Sequence, residues 1–139
     1  MAAPIYLADT SVHIWRSRDS GVRRRYETLL AEGRLAVCEM TALECLNGVA
    51  DPKRYELLWG ALHGHRWMEV TSQAMERALA VHREVASTSQ HRGFSLPDLI
   101  IAATADVHGA TVLHYDADFD RIAGVTGQPV AWVAAQGSL

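Results

Sequence analysis

Cysteine is scarce in this chain: only Cys38 and Cys45 occur in 139 residues. Two thiols are too few for a disulfide scaffold, and their spacing matches no zinc-binding pattern. Both are therefore expected as small buried residues. Long hydrophobic runs are missing as well. The strongest, Leu99 to Ala105, falls far short of the ~20 residues that a membrane-spanning helix needs. The segment Met1 to Asp9 has no basic flank, and Asp9 interrupts its short apolar run. No secretory signal is visible there, and a soluble, cytoplasmic protein is expected. An excess of positive charge is lacking too, because 13 Lys and Arg stand against 16 Asp and Glu, a formal charge of -3. The composition does not announce a nucleic-acid binder. Any such role needs local basic patches, or bound cations that reverse the field at the site. Repeats, low-complexity segments and linkers are absent, so residues 1–139 are expected to form one domain.

What remains is an ordinary globular balance, 49% hydrophobic and 21% charged. Short apolar runs alternate with helical patterns. Pro4 to Ala8 reads as a buried strand, Leu35 to Cys38 as a second, Trp67 to Val70 as a weak third, Thr111 to His114 as a fourth and Val130 to Val133 as a fifth. Between them, Thr10 and Ser11 offer hydroxyls to cap a helix starting near Val12, and a helix through Tyr26, Leu29 and Leu30 closes at Gly33. Thr41 precedes a helix over Ala42 to Gly48, and Pro52 starts another. Gln73 to Ala86 carries apolar residues at helical spacing, Ser87 to Phe94 reads as a loop, and Ser95 opens a helix that ends at Gly109. Such alternation argues for an α/β fold with a mostly parallel sheet covered on both faces.

Open α/β sheets bind ligands beyond the carboxyl ends of their strands. This sequence puts acids there: Asp9 after the first strand, Asp116 and Asp118 after the fourth, Glu44 and Asp98 in the first turns of helices. Taken singly, each also fits a cap. Thr41-x-x-Glu44 matches a capping box, Ser95-x-x-Asp98 is its shorter-acid variant, and Asp9 and Asp116 suit turns or N-caps. Convergence of several carboxylates on one edge, with no basic partner in the same motifs, is what Mg²⁺ or Mn²⁺ requires.

The run from Ile5 to Ser11, Glu44, the run from Leu96 to Ala105, and Asp116-Ala117-Asp118-Phe119-Asp120 resemble the four acidic motifs of PIN-domain proteins. The size and the span of the resemblance, residues 5 to 133, are similar to those of the VapC-type toxins of bacterial toxin–antitoxin pairs. The resemblance implies a PIN-like three-layer α/β/α sandwich and a metal-dependent endoribonuclease. It further implies catalytic roles for Asp9, Glu44, Asp98 and Asp116. Mg²⁺ or Mn²⁺ would be held by Asp9, Asp98 and Asp116, with Asp118, Thr10 and Ser11 as accessories. Also implied are a VapB-like antitoxin packed in a groove near the acids and a homodimer. One departure stands out: the family often has Thr or Ser two residues before the fourth acid, where this chain has His114. A buried, hydrogen-bonded histidine is expected at that strand end.

An RNA substrate needs positive charge on its approach. Arg16 and Arg92 are candidate phosphate contacts, although a solvated arginine face is the ordinary alternative. His63-Gly64-His65 reads as a polar turn, with no other metal ligand nearby in sequence. Trp15, Trp59 and the apolar side of the Arg23–Leu30 helix are candidate groove walls, or else core. An RNA-processing nuclease without an antitoxin would share every catalytic residue. A Mg²⁺-dependent phosphatase would typically want a second acid where Ser11 stands.

Overall fold

A computed structural model describes residues 3–139; Met1 and Ala2, part of the segment read above for a secretory signal, lie outside the described residues. The chain runs β1 (Tyr6–Ala8), α1 (Thr10–Trp15), α2 (Ser20–Ala31), β2 (Leu35–Val37), α3 (Glu39–Asn47), α4 (Pro52–His63) and β3 (Arg66–Trp67). It continues through α5 (Ser72–Ala86), a 3₁₀ turn (His91–Gly93), α6 (Leu96–Val107), β4 (Thr111–His114), α7 (Asp118–Thr126) and β5 (Val130–Trp132). All strand pairs are parallel, in the order β3-β2-β1-β4-β5. No described helix is long and apolar enough to cross a membrane.

Alternation along the strands divides the core between two faces. Leu7, Ala36 and Val112 pack on one side with Val81 and Val85 of α5, Leu99, Ile101 and Ala102 of α6, and Phe119 and Ile122 of α7. Ala8, Leu35 and Leu113 pack on the other with Val12 of α1 and Val22, Tyr26 and Leu29 of α2. Leu62 of α4 closes over Val37, Ala42 and Leu46. Every interior strand is therefore buried on both sides, which explains why the runs look continuously apolar. This is the α/β/α sandwich expected, with a sheet that is wholly parallel.

The order of the strands makes the site. From β1 the chain builds outward to β2 and β3, then crosses back and adds β4 and β5 on the other flank. The crevice of such a sheet opens where the winding reverses, here between the carboxyl ends of β1 and β4. The register Leu7↔Val112 and Ala8↔Leu113 brings those two ends level.

Element ends depart from the sequence expectations in physically telling places. The first helix starts at Thr10 because Asp9, rather than a hydroxyl, caps it. The third begins at Glu39, ahead of Thr41, with Cys38 at its N-cap. The third strand is only Arg66–Trp67. The chain from Asp118 forms α7, a helix absent from the sequence expectations; Phe119 and Ile122 face the core, and Gly127, at φ 73°, ends the helix in the left-handed region that glycine adopts without strain. Cys38 is buried as expected, whereas Cys45 is only half so.

Leu113 is fully buried in the central strand pair. Leu113→Ala is expected to cost about 2–5 kcal/mol in urea-induced unfolding, a large share of the roughly 5–15 kcal/mol that holds a domain together.

Candidate active site

Asp9 leaves β1 directly, and its backbone N–H donates to the Leu113 carbonyl of β4 at 2.9 Å. That bond fastens the first acid to the winding reversal. Its Oδ2 accepts the Ser11 N–H at 3.1 Å and the Ser11 hydroxyl at 2.7 Å. The same Ser11 oxygen accepts the Tyr115 N–H at 2.9 Å, so one side chain ties the Asp9 carboxylate to the exit of β4. The Thr10 hydroxyl donates to Glu44 Oε1 at 2.8 Å. Neither hydroxyl caps α1; both brace acids.

Glu44 is no capping-box partner either. Helix α3 starts before Thr41, whose buried hydroxyl sits 3.6 Å from Cys38 Sγ. Glu44 is thus well inside the helix, free to face Thr10. Ser95 does cap α6, accepting the Asp98 N–H at 3.4 Å. The return bond from the Asp98 carboxylate that would complete a capping box is not made. Asp98 is left 9% exposed and facing the other acids.

The fourth strand delivers the rest. Asp116 Oδ1 accepts the Asp118 N–H at 2.9 Å, which turns the chain into α7. One carboxylate oxygen each from Asp98, Asp116 and Asp118 lies within 4.8 Å of the others. Asp118, expected as an accessory, belongs to this tight trio, while Asp9 and Glu44 stand outside it. Both remain within electrostatic reach. Burial, followed by the charges of Asp9, Asp116, Glu44 and Asp118, pushes the Asp98 carboxyl from 3.8 up to about 7. Burial also raises Asp9; the Ser11 hydrogen bonds partly offset this, and Glu44 adds a smaller push.

An acid forced toward neutrality by burial first and by charged neighbours second is one that added positive charge would return to its ionised form. Among the described residues, the salt bridge that reaches the trio is Arg121 Nη1 to Asp118 Oδ1, long at 3.4 Å and half-exposed. An all-oxygen donor set with surplus negative charge fits a hard divalent cation. The donors converge from a strand end and two helix starts.

His114 is wholly buried at the end of β4, as expected, and its Nδ1 accepts the Asp116 N–H at 3.1 Å. The two candidate arginines are placed differently. Arg16 lies with its guanidinium 4.5 Å from the centre of the Tyr26 ring. It lines a cleft of about 400 Å³ with Thr10, His13, Glu44 and Cys45, next to the acids. Arg92 is exposed on the 3₁₀ turn before α6. His63 and His65 are drawn apart by different partners: His63 stacks against Trp67, its ring centre 4.8 Å away, and His65 bonds the Tyr26 hydroxyl. Trp15 meets Tyr115 edge-on, and Trp59 remains 47% exposed.

Arg121 is the residue that sequence reading missed. It donates to the Gly93 carbonyl at 3.1 Å, covers the Phe94 ring at 4.4 Å and reaches Asp118, tying the 3₁₀ turn to the acids. The signal was an acid and an arginine three apart, legible only once α7 is known to be a helix.

The chain has counterparts among known proteins. The family model of the PIN domain matches residues 6–125. The chain is 43% identical over 134 residues to ribonuclease VapC51 of Mycobacterium tuberculosis, covering 96% of each. It is 34% identical over 137 residues to ribonuclease VapC18 of the same organism, covering 97% of this chain and 99% of that one. In three dimensions it is similar to a chain of DNA-bound VapBC from Salmonella typhimurium, with a TM-score of 0.78 at 18% identity, over 95% of this chain and 100% of that one. A toxin-antitoxin complex from Klebsiella pneumoniae matches with a TM-score of 0.72 at 23% identity, over 93% of this chain and 98% of that one. With its acids gathered where the sheet reverses its winding and its sequence matched over nearly its whole length, the chain belongs to the PIN-domain family, among the VapC ribonucleases.

Proposed function

We propose that this one-domain chain is a metal-dependent endoribonuclease and the toxin of a VapBC-type pair, hydrolysing phosphodiester bonds of tRNA or rRNA. The observation that carries the reading is the gathering of Asp98, Asp116 and Asp118 within 4.8 Å beside two further acids, with Asp98 pushed up to about 7. Asp98, Asp116 and Asp118 would hold Mg²⁺ or Mn²⁺, with Asp9 at the margin of the trio. Such an ion, when bound, supplies positive charge to a phosphodiester and lowers the pKa of water beside it.

The protein's own groups do the rest. Ser11 holds Asp9 in one orientation, and Thr10 holds Glu44 by Oε1, leaving Oε2 free to take a proton from attacking water. Arg16, which lines the cleft beside Glu44, and Arg92, exposed on the turn before α6, would with Arg121 provide the positive approach that an acidic chain otherwise lacks. A VapB-like antitoxin as partner is supported by the toxin–antitoxin complexes whose chains share this fold. Homodimerisation belongs to the same reading.

Incubating purified chain with total cellular RNA tests it. Mg²⁺ or Mn²⁺ should yield discrete fragments, and EDTA should stop cleavage. Asp98→Asn should reduce the rate by more than about 100-fold, beyond the upper end for loss of an outer partner, with an unchanged circular dichroism spectrum. Wild-type cleavage by Asp98→Asn would sink the reading.

The raised Asp98 pKa also predicts a pH dependence of stability. Between 3.8 and about 7 the folded protein holds a proton on Asp98 that the unfolded chain has released. Stability of the metal-free protein should therefore fall as pH rises through that window. Asp98→Asn should flatten the fall, and added Mn²⁺ should oppose it. Melting temperatures in EDTA and in Mn²⁺ at about pH 5 and about pH 8 would check the sign.

A further inference from the structure

His114 is the buried group that the chemistry above leaves unused. It is fully enclosed at the end of β4, its ring centre 5.2 Å from that of Phe119 and 4.8 Å from that of Trp132. An atom that accepts an N–H carries no proton, so Nδ1, which accepts from Asp116, is bare. A neutral ring then keeps its proton on Nε2. That nitrogen is buried without a hydrogen bond among the described residues. The carboxylate facing it is Asp120 Oδ1, 3.6 Å away, one small adjustment from a bond. Asp120 is fixed from its other side, where Oδ2 accepts the Trp132 indole N–H at 3.0 Å.

These contacts form a chain from β5 through the first turn of α7 to the backbone of Asp116. Between β4 and α7 the residues Tyr115 to Ala117 have no repetitive structure, so side chains set their course. Ser11 takes the Tyr115 N–H and His114 takes the Asp116 N–H. Asp116 Oδ1 is meanwhile committed to the Asp118 N–H. Rotating the Asp116 peptide would therefore move two of the three clustered carboxylates.

We propose that His114 is a positioning residue, which, backed by Asp120 and Trp132, aims the Asp116 carboxylate into the acidic trio. The proposal rests on the reading of the acids as a cation site. A serine or threonine hydroxyl at this position would also accept the N–H. Histidine adds a second nitrogen on the far side of the ring, and through it a link to Asp120 and β5. The same logic makes the partners behind metal ligands matter in general.

Nitrogen-15 NMR of the wild-type imidazole comes first. His114 should appear as the neutral tautomer with a bare Nδ1, and a protonated Nδ1 would overturn the proposal. His114→Phe keeps a packed ring but loses the acceptor. Its Mn²⁺ dissociation constant, by titration calorimetry on antitoxin-free chain, should rise by about 10- to 100-fold, with faster exchange of the Asp116 amide. His114→Asn, whose Oδ1 accepts the same N–H, should restore most of both. Wild-type Mn²⁺ affinity and Asp116 exchange in His114→Phe would refute the role. If His114→Phe fails to fold, the half-exposed Asp120→Ala supplies the variant, and an Asp116 amide as slow as in wild type would count against the chain. Absence of Mn²⁺ uptake by the wild type would defeat the metal reading; the tautomer and the Asp116 exchange would still decide what His114 does.

Discussion

The parallel pairing of β1 with β4 is the constraint on which the rest depends. Its register sets Ala8 opposite Leu113, and the Asp9 N–H extends it by one further bond to the Leu113 carbonyl. A slip of one residue would turn the buried faces of a strand outward. Leu7 and Ala8, which face opposite cores, would exchange environments, and Asp9 would no longer stand level with the exit of β4. The same apolar alternation that holds the sheet in register thus holds the acids in reach of one another. Packing and chemistry share a single alignment.

Five carboxylates near one point and partly withdrawn from water are unfavourable by themselves: burial first, and the neighbouring charges after it, raise Asp98 and Asp9. The fold tolerates them by meeting their hydrogen-bonding needs locally. Asp9 takes two bonds from Ser11, Glu44 one from Thr10, and Asp116 one from the Asp118 backbone. Among the described residues Asp98 is the exception, with surrounding charge and no such donor, which makes it the group most responsive to a cation. Caps and site residues are therefore not alternatives here. Asp9 caps α1 and Ser95 caps α6 while the acids gather, because a helix start at a strand end brings both N–H donors and carboxylates to the same place.

Local chemistry made much of this legible. Helical spacing gave α5, the glycine after α6 marked its end, and the apolar runs gave the strands. Acids at run ends pointed to the crevice. Helix α7, the start of α3 and Arg121 escaped for definite reasons. Helix α7 is short and begins with acids that also suit a turn, so only burial of Phe119 and Ile122 identifies it. The start of α3 lies ahead of Thr41, which is buried with Ala42, so the Thr41 and Glu44 pair that matched a capping box in sequence sits inside the helix. Arg121 carried no signal without α7.

By itself, then, the sequence determined the class of fold, the succession of its strands and the placing of acids at their ends, because periodicity, caps and run ends are written within a few residues of one another. Tertiary structure alone decided which carboxylates come within 4.8 Å, why Asp98 is pushed up to about 7, and that His114 faces Asp116 and Asp120. The first two depend on acids carried by separate elements, and the third on how β4, α7 and β5 pack around a fully buried ring. Distance and desolvation exist only after the sheet has brought them together.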